Sequence, residues 1–475
     1  MKKLTGIIGI LLLFGNIQAQ QILSLDDAIS IALDESYGIQ RAEYSLEQSE
    51  KNLESFRAGL FSRLDLEFDL PNFINSLSSQ FNPLTGKEEF YEIGSTRIEG
   101  RLSLNQPIIF TNGNIRVTGT IFGRNQFGPD IAEGRDYFSN LQIALNQPLF
   151  IFNSQAADLE RAEINLEKAQ RNYTQSELDV IYNVTVGFYA LYRAKENVSI
   201  AKEKVVQNEE SYETAASKLR AGLIAEVEAM QLEVDLASSR NALLDSEREY
   251  REELNDFKIL IGLKLDNKID VESNLEFEPV EVDSSAAVES ALSKRPELLN
   301  TKDDIYLSEL NVDETDSERQ IKAEINARYG INKNDQQLSA VFSNFLENQS
   351  VAFTVSVPVW DWSQNKYKVQ AAEADLKLQK LRYNNLYDNV EKDIIEALGR
   401  LRSAEQRVKV LSKSVEVANK SYKISLERFK SGTITSFDLS QTQIRLTEAR
   451  LNSLGALIDY NVALADLERK TLMRF

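Results

Sequence analysis

Two periodicities divide this chain. In some stretches apolar and polar residues alternate. Leu64, Leu66, Phe68 and Leu70 are interleaved with Arg63, Asp65, Glu67 and Asp69, and Ile98, Gly100, Leu102 and Leu104 with Arg97, Glu99, Arg101 and Ser103. Leu141, Ile143 and Leu145 alternate with Gln142, Ala144 and Asn146. Further on, Ala323, Ile325, Ala327, Tyr329 and Ile331 alternate with Lys322, Glu324, Asn326 and Arg328, and Val351, Phe353, Val355 and Val357 with Ala352, Thr354 and Ser356. A period of two belongs to strands with one apolar face. Each run is roughly nine or ten residues, the length of a tilted membrane-spanning strand. A half-buried sheet in water gives the same alternation.

Elsewhere the period is helical. No proline interrupts Ser363 to Lys430, where apolar residues stand at Val390, Ile394, Ala397, Leu401, Ala404, Val408, Leu411, Val415, Ala418, Tyr422 and Phe429. Steps of four and three make a heptad seam. A second seam runs through Val180, Val184, Gly187, Leu191, Ala194, Val198, Ala201, Val205, Tyr212 and Leu219. A helix of about 65 residues is roughly 100 Å long, and the small seam residues predict close packing. Both helices end on a glycine, in Leu219-Arg220-Ala221-Gly222 and Phe429-Lys430-Ser431-Gly432, which is C-capping chemistry. Second helices, Glu226 to about Leu254 and Phe437 to about Leu472, follow after short turns, so each pair forms an antiparallel coiled-coil hairpin. An opening helix capped by Ser24 runs to about Phe56, and a similar one through Val288, Leu298 and Leu307 is interrupted at Arg295-Pro296-Glu297.

These parts are two copies of one plan. An offset of 210 residues carries Pro148 onto Pro358, Ala162-Glu163 onto Ala372-Glu373, Tyr173 onto Tyr383, Tyr212 onto Tyr422 and Gly222 onto Gly432. The opening helices match at an offset of 259, Ala32-Leu33 onto Ala291-Leu292. The first half therefore carries about 49 extra residues before Pro148. They are expected to hold one more hairpin, Arg97–Pro107 with Asn114–Phe122, turning through Thr111-Asn112-Gly113-Asn114. Segments 71–96 and 332–349, rich in Asn, Ser, Gln and Phe, read as long loops. The resulting organisation is a first repeat over 20–262, a linker over 263–283 and a second repeat over 284–475.

Composition narrows the chemistry. The chain has 475 residues with neither cysteine nor histidine, which removes disulfides, thiol chemistry, the usual zinc ligand sets and His-based catalysis. The helical heptads account for most paired carboxylates, so nothing points to an enzyme or a cofactor. A net charge of −19 gives no general attraction for nucleic acid. Lys2 and Lys3, an apolar run from Ile7 to Phe14 and Ala19 before Gln20 read as a secretory signal peptide over 1–19, with no following cysteine for a lipid anchor.

Together these residues resemble the TolC-like family of outer-membrane efflux proteins. Leu25-Asp26-Asp27-Ala28 with Ala32-Leu33 looks like the family's opening helix, and Ala291-Leu292 with Arg295-Pro296-Glu297-Leu298 like its second copy. Pro148-Leu149-Phe150 and Pro358-Val359-Trp360-Asp361 resemble the strand-to-helix swivel, and Gly432, Phe437-Asp438-Leu439 and Gln441-Thr442-Gln443 the hairpin tip. The resemblance covers essentially the whole mature chain.

The resemblance implies a mainly α protein with a membrane β-barrel: a homotrimer in which each copy gives four strands to a twelve-stranded barrel and its helices to a periplasmic tunnel. It further implies an outer membrane location in a Gram-negative bacterium and a passive exit duct of a tripartite efflux or type I secretion system. The partners would be outer-membrane lipid, a periplasmic adaptor and an inner-membrane pump. By position, Glu226, Glu228 and Asp438 are the candidate aperture acids, with an ordinary first-turn carboxylate as the alternative for each. Leu219, Arg220, Gly222, Leu223, Phe429, Lys430, Gly432 and Thr433 are candidate adaptor contacts, or simply capping residues. Phe150, Phe152, Trp360 and Trp362, just past the strand ends, are candidate membrane-interface aromatics. The 49 extra residues depart from the family's pattern: either they form a hairpin outside the barrel, or the first-half strands pair differently. A different class remains open, a non-pore periplasmic coiled-coil structural or adaptor protein.

Overall fold

The computed structural model describes residues 21–83, 85–128, 133–272, 275 and 277–475. The leader read at 1–19, with Gln20, lies outside them. The chain forms two compact units: one of Arg171–Leu299 and Asn385–Phe475 with the described residues before Leu46, the other of Leu46–Gln170 and Asn300–Asn384.

The first unit opens with strand β1 (Gln21–Leu23) and helices α1 (Leu25–Glu35) and α2 (Tyr37–Gly59). The single opening helix expected to Phe56 is therefore two. Ser36 breaks them with extended backbone (ψ 145°), and its hydroxyl accepts the Ile39 N–H at 3.3 Å to start α2. The same break lies 259 residues on, at Arg295, where Pro296 makes it visible.

The second unit holds one antiparallel sheet in which six strands follow in chain order: β2 (Arg63–Asn82), β3 (Lys87–Ile108), β4 (Gly113–Phe127), β5 (Gly134–Leu149), then, past several helices, β7 (Lys322–Asp335) and β8 (Leu346–Ser356). Sequence expectation is corrected here in two respects. Residues 71–96 are not a loop: beyond a register shift between Asp69 and Asn72, where Pro71 sits on an edge strand, β2 and β3 stay paired to Asn82 and Lys87. The 332–349 segment is likewise mostly strand and a short 3-10 turn, Leu338–Phe342. Second, the sheet has six strands where the resemblance implies four. The foreseen extra hairpin forms, as β3 and β4, inside the sheet between β2 and β5.

Cross-strand chemistry pins this register. On the polar face Arg101 meets Glu67 directly opposite at 3.2 Å, and Arg124 meets Asp136 at 3.0 Å. Glu99 is buried between Arg97 and Arg101, and the Arg97 guanidinium lies 3.8 Å over the Phe122 ring. The other face is apolar: it is exposed at Leu64 and Leu66 of β2, Leu102 of β3, Leu141 and Ile143 of β5, Tyr329 of β7 and Val351, Phe353 and Val355 of β8, and half-buried at Val117 of β4.

Helix α3 (Ser154–Arg220) follows β5 and helix α7 (Gln364–Lys430) follows β8, both of 67 residues. Each turns back into a second helix, α4 (Glu226–Leu260) and α8 (Ser436–Thr471). The α7 seam is buried from Val390 through Val408. Packing is as close as the small residues suggest: a Cβ on Gly187 of α3 would come within 2.6 Å of Leu260 on α4. One core joins both repeats in the first unit, with Leu23, Ala28, Val184, Phe188, Leu191, Phe257, Ile261 and Ile458. The expected linker is part of it: β6 (Ile269–Val271) pairs in parallel with β1, and Lys195 donates to Asp270 at 2.9 Å and to the Val271 carbonyl at 2.6 Å. Helices α5 (Ser284–Lys294) and α6 (Pro296–Ser317) follow, and Ser290 and Arg295 hold the last carbonyls of α8, those of Thr471 and Lys470, both at 2.9 Å.

Near that end Asp466 accepts from Arg400 at 3.1 Å, Arg469 at 3.0 Å and Lys470 at 2.8 Å. Burial alone would raise its pKa, but the Lys470 and Arg469 contacts outweigh it and hold the carboxyl below the ordinary 3.8. A folded pKa below the unfolded one stabilises above the unfolded value and is lost as pH falls through the folded value. Asp466→Asn is expected to lower the melting temperature at pH 7, with the gap to the parent closing below about pH 4. A gap independent of pH in thermal melts would assign the loss to packing instead.

Candidate functional site: hairpin tips and strand-to-helix junctions

Both long helices end in one hydrogen-bond pattern. The Gly222 N–H donates to the Leu219 carbonyl and that of Leu223 to the Lys218 carbonyl, both at 2.9 Å; Gly432 donates to Phe429 at 3.0 Å and Thr433 to Arg428 at 2.9 Å. Gly222 and Gly432 sit at φ +72° and +78°, where a side chain would be strained. The returning helices start differently. At α8, Thr435 and Asp438 form a reciprocal capping box, with Thr435 Oγ1 donating to the Asp438 carboxylate at 2.8 Å and accepting its N–H at 3.2 Å. The matching position before α4 is Ala225, whose side chain makes no cap.

The two tips pack on each other. Ala215, Ala229 and Leu232 of the first hairpin are buried with Tyr422, Phe429, Leu439 and Leu446 of the second. Polar links surround this core. The Lys218 ammonium donates to the Phe429 carbonyl and lies 4.5 Å from the centre of its ring. Lys430 pairs with Glu210 at 2.8 Å, and that hydrogen bond raises the lysine's pKa. Ser440 Oγ donates to Asp235 at 2.5 Å, and Asn208 to the Asp235 carbonyl at 3.0 Å. Burial first, then the nearby Glu210 and Glu203 charges, push the Tyr422 hydroxyl up to about 12.

The tip candidates differ in exposure and in partners. Glu226 is exposed and Glu228 half-exposed in the uncapped first turn of α4, where the helix N-terminus favours a carboxylate. Asp438 is occupied by its cap, and the Thr435 hydroxyl and N–H hold its pKa low. Arg220 and Leu223 face solvent, whereas Phe429 is only 1% exposed: its ring belongs to the tip core, not to a contact surface. Leu219 packs half-buried against the same core, and Thr433 Oγ1 donates back to the Arg428 carbonyl at 3.0 Å. The sequence reading missed an apolar stripe on the outside of the tips. Leu223, Val227, Met230 and Val234 are all exposed at steps of four, three and four, as are Phe437, Ile444 and Leu451 at steps of seven. The heptad spacing was the available signal.

At the junctions, Pro148 is the penultimate residue of β5, opposite Glu324, and Pro358 follows β8. Phe150, Trp362 and Ser363 take positive φ of 57°, 55° and 67°, strained for such residues. Phe150, Trp360 and Trp362 are exposed, Trp362 at 84%, and the two indoles meet edge to face at 5.4 Å; Phe152 is half-buried. Each long helix has its own start. Asp361 accepts the Ser363 and Asn365 N–H groups at 2.9 Å at α7. At α3, Asn153 accepts the Ala156 N–H at 3.1 Å and donates to the Ile109 carbonyl at 2.7 Å, while Asn112 accepts from Ser154 at 3.3 Å. The turn of the surplus hairpin thus clamps one junction only.

Among the described residues no helix is long and apolar enough to cross a membrane, and no cluster of acidic side chains has metal-binding geometry. A family model described as outer membrane efflux protein matches residues 133–263 and 287–471. No curated protein matches the sequence. Solved structures share the fold. The outer membrane protein VceC from Vibrio cholerae is 13% identical with a TM-score of 0.69, over 95% of this chain and 96% of that one. The outer membrane channel CmeC of Campylobacter jejuni is 15% identical with a TM-score of 0.69, over 94% and 85%. CusC, described with its transmembrane channel formation, is 14% identical with a TM-score of 0.70, over 95% and 93%. The fold is that of TolC-like outer-membrane channels.

Lys218→Ala removes a charge-assisted hydrogen bond worth on the order of 2 kcal/mol. Amide exchange in the two tip turns is expected to quicken by roughly thirty-fold, with the α7 seam near Ile394 unchanged. Unchanged exchange at the Phe429 tip would show that the link does not hold the hairpins together.

Proposed function

This chain belongs to the outer membrane efflux protein family, and from that premise we propose that it is a passive exit duct, built as a homotrimer in the outer membrane of a Gram-negative cell. One observation carries the reading. In each repeat a strand of a sheet with one apolar face leads through a short junction into a 67-residue helix that ends in a hairpin tip. An apolar sheet face suits lipid, and a helix of that length, about 100 Å, suits a wall of a water-filled tunnel in the periplasm. The exposed Phe150, Trp360 and Trp362 at the junctions fit the aromatic girdle where headgroups meet water.

The duct works by gating, with no chemical step. In the resting state the tips are held by the Lys218–Phe429 and Lys430–Glu210 links and by their shared core. Docking of a periplasmic adaptor, itself joined to an inner-membrane pump, exchanges these links for contacts with the exposed stripe from Leu223 to Val234 and with Arg220. An adaptor shifts the gate only by binding the open arrangement better. Links that are individually modest make such a shift attainable. Threefold symmetry multiplies Glu226 and Glu228 into a ring of carboxylates at the aperture, which favours cations. Asp438 stands apart as the cap of α8.

Planar-bilayer recording tests this. Lys218→Ala with Lys430→Ala is expected to raise single-channel conductance above the parent's, and Glu226→Gln with Glu228→Gln to move the reversal potential toward lower cation preference. A folded tip-loosened variant that passes no current would contradict the duct and favour a non-pore coiled-coil protein.

A further inference from the structure

We propose that the surplus hairpin β3–β4 is part of the barrel wall, so that three copies enclose eighteen strands and a lumen roughly half as wide again as that of a twelve-stranded barrel. The inference rests on the trimeric duct proposed above and specifies how wide its membrane pore is.

The pairing carries it. β3 pairs with β2 from Asn105 to Lys87 and with β4 from Ile108 to Gly94, and β4 pairs with β5 from Asn114 to Gln126. A hairpin lying outside the wall would leave β2 to pair with β5, yet β5 pairs with β4 on one side and β7 on the other. Both faces also run on through the hairpin. Leu64, Leu104, Val117, Ile143 and Tyr329 form one apolar row across five strands. On the opposite face the pairs Glu67–Arg101 and Arg124–Asp136 tie each hairpin strand to its neighbour outside the hairpin.

Parity makes the insertion compatible with closure. Two added strands leave β2 and β8 antiparallel to each other, since every neighbouring pair in the sheet is antiparallel and the total is even. The free edge of β8 can therefore take β2 of the next copy in the same sense as every other pair. Both β5 and β8 still end on the side where their long helices begin. The hairpin lies outside the residues that the family model matches, 133–263 and 287–471. Barrels of 16–18 strands leave an open aqueous channel, so the narrowest point of the duct would be the tips and not the membrane.

The cysteine-free chain suits single-cysteine labelling. In lipid vesicles a charged, membrane-impermeant maleimide should modify Ser103→Cys and Thr118→Cys and fail to modify Leu104→Cys and Val117→Cys, matching the β5 reference pair Gln142→Cys and Ile143→Cys. Labelling of both faces of β3 and β4 while β5 alternates would overturn the inference and leave the duct standing. No alternation on β5 would overturn the duct and the inference with it. Cryo-electron microscopy of the unaltered protein in detergent gives an independent count: eighteen strands support the proposal, and twelve refute it.

Discussion

Backbone hydrogen bonding in lipid constrains everything else here. A sheet whose one face is leucine, isoleucine, valine and phenylalanine across six strands is suited to hydrocarbon, where an unpaired N–H or carbonyl costs several kcal/mol. Within one chain β2 and β8 each keep one unpaired edge. In the proposed duct other copies close this sheet. The even strand count lets the proposed closure be antiparallel. The trimer and the lumen proposed above follow from that one requirement.

Duplication supplies the parts, and the two copies have since diverged where the constraint is local. Both tips retain the glycine turn, because only a residue without Cβ enters it freely. Their returning helices differ, one closed by Thr435 and Asp438 and the other begun at Ala225 without a side-chain cap. The junctions differ similarly: Asp361 caps α7 from its own turn, whereas α3 is held by Asn153 and by Asn112 from the surplus hairpin. One tip is therefore more loosely begun, and one junction more tightly held.

Much of this was legible in the residues. The heptad seams, the tip glycines and the strand alternations are local periodicities, and they located the hairpins and strands correctly. The break at Ser36 was hidden because Tyr37 stands where the second repeat has Pro296, which leaves the serine that caps α2 as its one local mark. The outer half of β2 was hidden by Pro71 and by asparagine and serine, residues more usual in loops, although Phe73, Leu77 and Phe81 lie within it. Sheet membership of β3 and β4 depends on pairing between distant segments, which no period encodes. At the tips the residue types were visible but their roles were not. Phe429 looks like a contact until its burial is seen, and Lys218 gains its part only from a carbonyl 211 residues away.

If this chain becomes a membrane duct by closing its sheet with two more copies, it is a trimer in the membrane. Native mass in the membrane fraction decides this. Outer membranes are isolated, the protein is extracted in mild detergent, and its mass is measured by light scattering with the detergent subtracted. Closure by three copies gives an outer-membrane protein at close to three times the mass of one chain. A water-soluble monomer or dimer would contradict it, because the edges of β2 and β8 would then have no partner and the apolar face no lipid.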